Sequence, residues 1–146
     1  MRGDLSLINR KDVITVRVPF PNISSDLAIT AHMYICKSKT GTCHEFVKCQ
    51  SFKPYMLVRR DVISYIDEDA DPTRNPFKQK SRIDCDKIFI TTGVDYDSAL
   101  RTSTRPDICD DLANQIDEKM TNNPPNRYCL NEDELVSLNR LITKII

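Results

Sequence analysis

Apolar and polar residues alternate in short runs over the first ninety positions, and helical spacing takes over after that. In 12–20, DVITVRVPF, Ile14, Val16 and Val18 fall on one side of an extended chain and Thr15 and Arg17 on the other, which predicts a strand. Pro19 and Pro21 end it, because proline has no N–H to give a ladder. Residues 28–36, AITAHMYIC, predict a mostly buried second strand and 44–51, HEFVKCQS, a third. The segment KSKTGTC turns between them around Gly41, as in a hairpin. A shorter strand, YMLV at 55–58, follows Pro54. The stretch IDEDADPTRNPFKQK, with Pro72, Pro76 and many charges, reads as a surface loop. Residues 81–91, SRIDCDKIFIT, read as one long strand, with Ile83, Cys85, Lys87 and Phe89 on one side and Asp84, Asp86, Ile88 and Ile90 on the other.

Past residue 95 the pattern is helical. Thr104 can cap a helix with Pro106 in its first turn, where no N–H partner is needed, and Ile108, Leu112, Ile116 and Met120 recur every four residues. TNNPPN stops this helix at about residue 121. Asn131 begins the last one, 131–145, with Glu134 three residues on and Leu130 placed to staple onto Leu135. Leu135, Leu138, Ile142 and Ile145 form its stripe, and Arg140 and Lys144 suit its negative end. Strands first and helices afterwards predict an α+β domain rather than a wound parallel sheet.

A chain of 146 residues fits one domain, 1–146, with strands in 11–92. The polar N-terminus is no signal peptide, and no apolar run reaches membrane-spanning length. A soluble cytoplasmic protein is therefore expected, with its six cysteines mostly reduced. Cys36, Cys43, His44 and Cys49 lie close in sequence but lack a CxxC knuckle, so they read as isolated thiols rather than a zinc site. No Gly-rich phosphate loop, GxSxG elbow or paired-histidine zinc motif is present, and no metal or cofactor is expected.

Net charge is zero, from 21 basic and 21 acidic residues, yet the charges cluster. Lys37, Lys39, Lys48, Lys53, Arg59 and Arg60 face only Glu45 across 35–60, and Arg74, Lys78, Lys80 and Arg82 have no acid among them in 72–82. Asp107, Asp110, Asp111, Asp117 and Glu118 make the first helix acidic. A cationic surface on the strands would draw a polyanion, with Phe52, Tyr55 and Phe77 available to stack on unpaired bases. The plainer account is solvated strand faces and core aromatics.

Three segments resemble the MazF/PemK family of growth-inhibiting toxins: DVITVRVPFP at 12–21, SRIDCDKIFI at 81–90 and LNEDELVSLNRLI at 130–142. The resemblance implies a small SH3-like β-barrel (MazF/PemK/CcdB-like) with C-terminal helices packed on it. It further implies a homodimer, a small antitoxin partner and metal-independent endoribonuclease activity on single-stranded mRNA. The family's Arg-Pro at the start of the second strand is replaced here by Thr30, Ala31 and His32. Ser51 matches the family's hydroxyl after the third strand, and 95–126 has no good counterpart.

Metal-free RNA cleavage needs a base for the 2′-hydroxyl, an acid for the leaving oxygen and a cation for the phosphoryl group. His32 has the right free pKa for a proton shuttle, and its alternative is a packed strand histidine. Arg82 and Asp84, two apart on a strand, form either a phosphate-holding pair or a structural ion pair. Ser51 could bind phosphate or merely end a strand. The candidate catalytic set is therefore His32, Ser51, Arg82 and Asp84. The candidate nucleic-acid-binding set is Arg17, Lys48, Lys53, Arg59, Arg60 and Lys80, with single-stranded RNA or DNA as ligand. His44, after the hairpin turn, is expected to be exposed. The rival readings are a non-catalytic binding or regulatory relative of the same fold and an unrelated α+β interaction domain.

Overall fold

A computed structural model describes residues 8–19, 31–58 and 62–145. It is α+β. Strands β1 (Val13–Val16), β2 (His32–Thr40), β3 (Cys43–Ser51), β4 (Tyr65–Glu68), β5 (Ser81–Asp84) and β6 (Lys87–Thr91) form an antiparallel sheet in the order β1-β2-β3-β5-β4, with β6 also on β3. Helix α1 (Asp110–Asn122) then crosses over to β8 (Asn126–Cys129), which pairs in parallel with β6. Strands β7 (Val94–Tyr96) and β9 (Ile142–Lys144) form a separate pair, and helix α2 (Glu132–Leu138) lies between β8 and β9 in the chain. Among the described residues the sheet is open. No helix among them is long and apolar enough to cross a membrane.

The β2–β3 hairpin forms because alternating apolar residues flank Gly41, whose φ of 60° suits the turn. One edge of β3 pairs with β2, and its other edge is divided. Its first half takes β6 (Phe46 opposite Phe89), and its last three residues take β5 (Cys49 opposite Ile83). Three residues on β3 thus match six on the neighbouring chain, and the excess forms a turn at Cys85–Asp86. Asp86 holds that turn by accepting from the Ile63 N–H at 2.9 Å. The long strand expected over 81–91 is therefore two strands, and its alternation inverts at the turn. Ile83, Cys85, Ile88 and Ile90 share one apolar cluster, and Phe89 belongs to the other.

Those clusters are the two faces of the sheet. Ile108, Leu112, Ala113, Ile116 and Met120 pack on Val13, Ile35, Val47 and Ile83, as the four-residue spacing requires. Leu135 of α2, Tyr96 of β7 and Ile142 of β9 pack on Ile14, Val16, Tyr34 and Phe46. The two helices thus sit on opposite faces.

Several expected elements differ. YMLV is not a strand: Pro54–Leu57 is a 3-10 turn, closed by Met56 N–H donating to the Lys53 carbonyl at 2.9 Å. The supposed loop after residue 65 begins with β4. The helix expected from Thr104 starts at Asp110, with the Cys109 sulfur accepting from the Leu112 N–H, because 101–108 bridges to the β1 segment instead, Arg101 opposite Ile14 and Asp107 opposite Asp12. The Val13 N–H donates to the Pro106 carbonyl at 2.9 Å, and the Ile108 N–H to Lys11 at 3.0 Å. The last helix keeps its Asn131 cap on Glu134 (3.0 Å) but ends at Leu138 rather than 145. There the buried Asn139 amide donates to the Leu135 and Arg17 carbonyls at 2.9 and 2.6 Å and accepts from the Arg17 N–H. That anchors the end of the helix to the chain leaving β1 and frees 142–144 to be a strand. His44 is buried, not exposed, stacked on Phe46 and accepted by the Ile8 carbonyl.

The segment 69–77 is ordered from within by Asn75, which is fully buried. Its amide donates to Glu68 Oε2 (3.0 Å) and the Asp69 carbonyl (2.9 Å), and its oxygen accepts from the Phe77 N–H (3.0 Å), placing Phe77 in the core. Asn75→Ala leaves buried partners unmatched and should cost about 2–4 kcal/mol in urea unfolding. A loss below about 0.5 kcal/mol, the usual range for surface positions, would contradict this role.

Candidate functional site

Away from β6, one face of the sheet carries a block of polar side chains. His32 and Tyr34 on β2, Lys48 and Gln50 on β3, Arg82 and Asp84 on β5, and Tyr65 and Asp67 on β4 are each two residues apart. Their pairings (Tyr34 with Lys48, Gln50 with Arg82, Arg82 with Asp67, Asp84 with Tyr65) place them on the same side.

Arg82 anchors the block. It is 2% exposed. Its Nε and one terminal nitrogen donate to the two carboxylate oxygens of Asp67 at 2.8 and 3.0 Å, and the other nitrogen donates to the Met56 carbonyl at 3.2 Å. The guanidinium carbon lies 3.6 Å from the Tyr65 ring centroid and 5.4 Å from that of Phe52. The hydrogen bonds it donates to Asp67 hold its pKa above the ordinary arginine value. Asp84, also 2% exposed, accepts from Gln50 Nε2 at 3.2 and 3.3 Å. The carboxylate that binds Arg82 is thus Asp67, from the stretch read as loop, rather than Asp84.

Burial sets the protonation states. It pushes the Asp84 carboxyl up to about 6, opposed by the nearby Lys48 charge and the Gln50 hydrogen bond. Burial also pulls Lys48 down, with Asp84 opposing. His32, half-buried, is lowered to about 4 by desolvation and then by Lys48, so its imidazole is neutral at neutral pH. His32 Nε2 and the Tyr34 hydroxyl are buried with no hydrogen-bond partner.

At the same end of the sheet a cleft of about 300 Å³ opens beyond the reach of α1. Thr15, His32, Gln50, Ser51, Lys78 and Ser81 contribute to its lining. His32 and Ser51 therefore come together at the cleft, while Arg82 and Asp84 do not line it. Lys53, Lys78 and Lys80 are exposed, and Lys80 Nζ lies 4.8 Å from the Phe52 ring centroid. Arg17 is exposed on the chain leaving β1, and Lys48 is buried. Arg59 and Arg60 lie outside the described residues.

No family model, curated protein or solved structure matches this chain.

The cysteines are dispersed. Cys36 and Cys49 lie in the clusters on opposite faces, and all six thiols are free. Among the described residues no group of His, Cys, Asp and Glu could hold a metal ion. Asp67, Tyr65 and Gln50 were missed as site residues. The alternation Tyr65-Ile66-Asp67 was the available signal, obscured by the acidic residues and prolines after it.

Asp84 makes a pH prediction. Its folded pKa is above its unfolded value near 3.9, so its contribution to stability is full below about pH 4 and is lost as pH rises through about 6. His32, with a depressed pKa, contributes in the opposite sense: its share is present above about 6.5 and is lost as pH falls through about 4. Comparing wild type with Asp84→Asn cancels the histidine. Between pH 4 and 7 wild type should lose stability relative to the variant, on the order of 2 kcal/mol, in chemical unfolding at stepped pH. A difference independent of pH would show that Asp84 is not held in this environment.

Proposed function

We propose that this chain is a MazF/PemK-like protein that binds single-stranded RNA along the cleft and the lysine-flanked edge beside it. The observation that carries the reading is the meeting of a 300 Å³ cleft of mixed polar and apolar lining with the exposed cations Lys53, Lys78 and Lys80 at one end of the sheet. Hydroxyl and amide groups from Thr15, Gln50, Ser51 and Ser81 suit phosphate and sugar oxygens, and the lysines supply salt-sensitive affinity.

Support for the family comes from the three sequence segments in order and from β3, which serves β5 and β6 on one edge as a strand does when a sheet curls toward a small barrel. The same reading carries the homodimer and the small antitoxin partner that such toxins have.

Binding without cleavage is favoured over an active endoribonuclease. Cleavage needs a cation on the phosphoryl group, and the guanidinium of Arg82 is engaged by Asp67 and Met56. A neutral His32 with a pKa of about 4 can accept a proton but holds none to donate near pH 7. Cleavage is kept as a second reading because His32 and Ser51 line one cleft.

The test is a fluorescent single-stranded RNA, titrated by anisotropy and then end-mapped. Intact RNA is expected, with binding that weakens with salt at a log–log slope of about −2, from three lysines at about −0.7 each. Lys53→Glu with Lys80→Glu should weaken it at least about ten-fold, since each charge reversal removes a favourable phosphate contact and adds a repulsive one. New 5′ ends would shift the reading to cleavage. Absence of binding at low salt would remove it.

A further inference from the structure

We propose that Tyr65 is a preformed platform on which one unpaired base of the bound strand stacks, a specific that rests on the RNA-binding reading. Tyr65 stands on β4, the end strand of the described sheet, and is 38% exposed. One face of its ring is covered by the Arg82 guanidinium at 3.6 Å, so the opposite face and the ring edge carry that exposure. An aromatic held this way differs from an ordinary surface tyrosine. Its backing group is fixed by two hydrogen bonds to Asp67 and one to the Met56 carbonyl, and its backbone is paired to β5. The ring therefore loses little freedom when a ligand lands on it, which is the advantage of preorganisation.

The surroundings argue for a nucleic-acid base rather than a protein side chain. Phe52 also lies against the Arg82 guanidinium, at 5.4 Å, with Lys80 4.8 Å from the Phe52 ring. Lys80, Lys53 and the partly buried Phe52 adjoin Ser51 and Ser81 of the cleft in sequence, so phosphates following the lysines would bring bases past the aromatic rings. Alternating flat rings and cations form the surface that single-stranded strands use, with little sequence preference because every base has a π face. The carboxylates on the Tyr65 side of the sheet are partnered: Asp67 by Arg82, and Asp84 by the Gln50 amide at 3.2 Å with the Lys48 charge nearby. Arg82 acts here through Tyr65, as a positioning residue that touches no ligand.

The experiment compares a ten-nucleotide uridine RNA with an abasic strand of the same length and charge, by anisotropy, on wild type, Tyr65→Leu, Tyr65→Phe and Tyr65→Trp. Wild type should prefer the base-bearing strand by about ten-fold or more. Tyr65→Phe should keep that preference, Tyr65→Trp should keep or raise it, and Tyr65→Leu should reduce it several-fold with an unchanged salt slope. The tryptophan and phenylalanine variants carry the test if the leucine variant does not fold. Full preference retained in Tyr65→Leu, or lost in Tyr65→Phe and Tyr65→Trp, overturns the platform while RNA binding stands. A patch that instead pairs two copies, with concentration-dependent mass abolished by Tyr65→Leu and RNA binding untouched, overturns it as well. If wild type binds neither strand, the RNA-binding reading itself has failed.

Discussion

A guanidinium taken out of water must be matched on nearly every donor, and the polar half of this sheet is organised around meeting that demand for Arg82. Removing the partner of such a buried charge costs about 3–5 kcal/mol in known cases. That sets the scale of the force holding β4 against β5 through Asp67 and drawing the Pro54–Leu57 turn onto the sheet through the Met56 carbonyl. Tyr65 and Phe52 then lie against the cation they help to bury. One interaction thus fixes an end strand, a turn and two aromatic rings. It also commits to structure the arginine that a phosphate would otherwise have found.

The divided edge of β3 does the rest. Where β6 pairs with it, both faces are covered by apolar side chains from α1, α2 and the β7–β9 pair, and the sheet there is conventional core. Where β5 pairs with it, coverage thins, and the freed space becomes the cleft, with the Lys48, Gln50, Arg82, Asp84 block beside it and Gln50 shared between the two. Buried titratable groups in such a place shift according to what they lose. Asp84 rises and Lys48 falls because desolvation outweighs their mutual attraction, and His32 falls through desolvation with repulsion from Lys48 added to it. The candidate site is therefore a consequence of how the sheet bends.

Local periodicity made much of the fold legible. Ile108, Leu112, Ile116 and Met120 proclaim a packed face, and they pack as spaced; the β2–β3 hairpin follows from alternation around Gly41. Tertiary pairing hid the rest. Thr104 and Pro106 are good helix-starting residues, yet 101–108 is more stable as a partner for β1. The alternation through 81–90 is regular in sequence but inverts in space, because three residues of β3 are matched by six. At the site, His32 and Ser51 could be paired by reasoning about strand ends. The identity of the Arg82 partner could not, since the short alternation that places Asp67 on a strand is obscured by the acidic residues and prolines after it.

The most direct measurement of where a strand lies on this surface is ultraviolet cross-linking of a bromouridine-substituted single-stranded RNA, with the attached peptides identified by mass spectrometry. Adducts concentrated on Phe52, Tyr65 and the residues flanking Lys78 and Lys80 are expected. Adducts confined to the acidic helix α1 or to β9, or an unlabelled protein under conditions where the RNA is bound, would contradict the account.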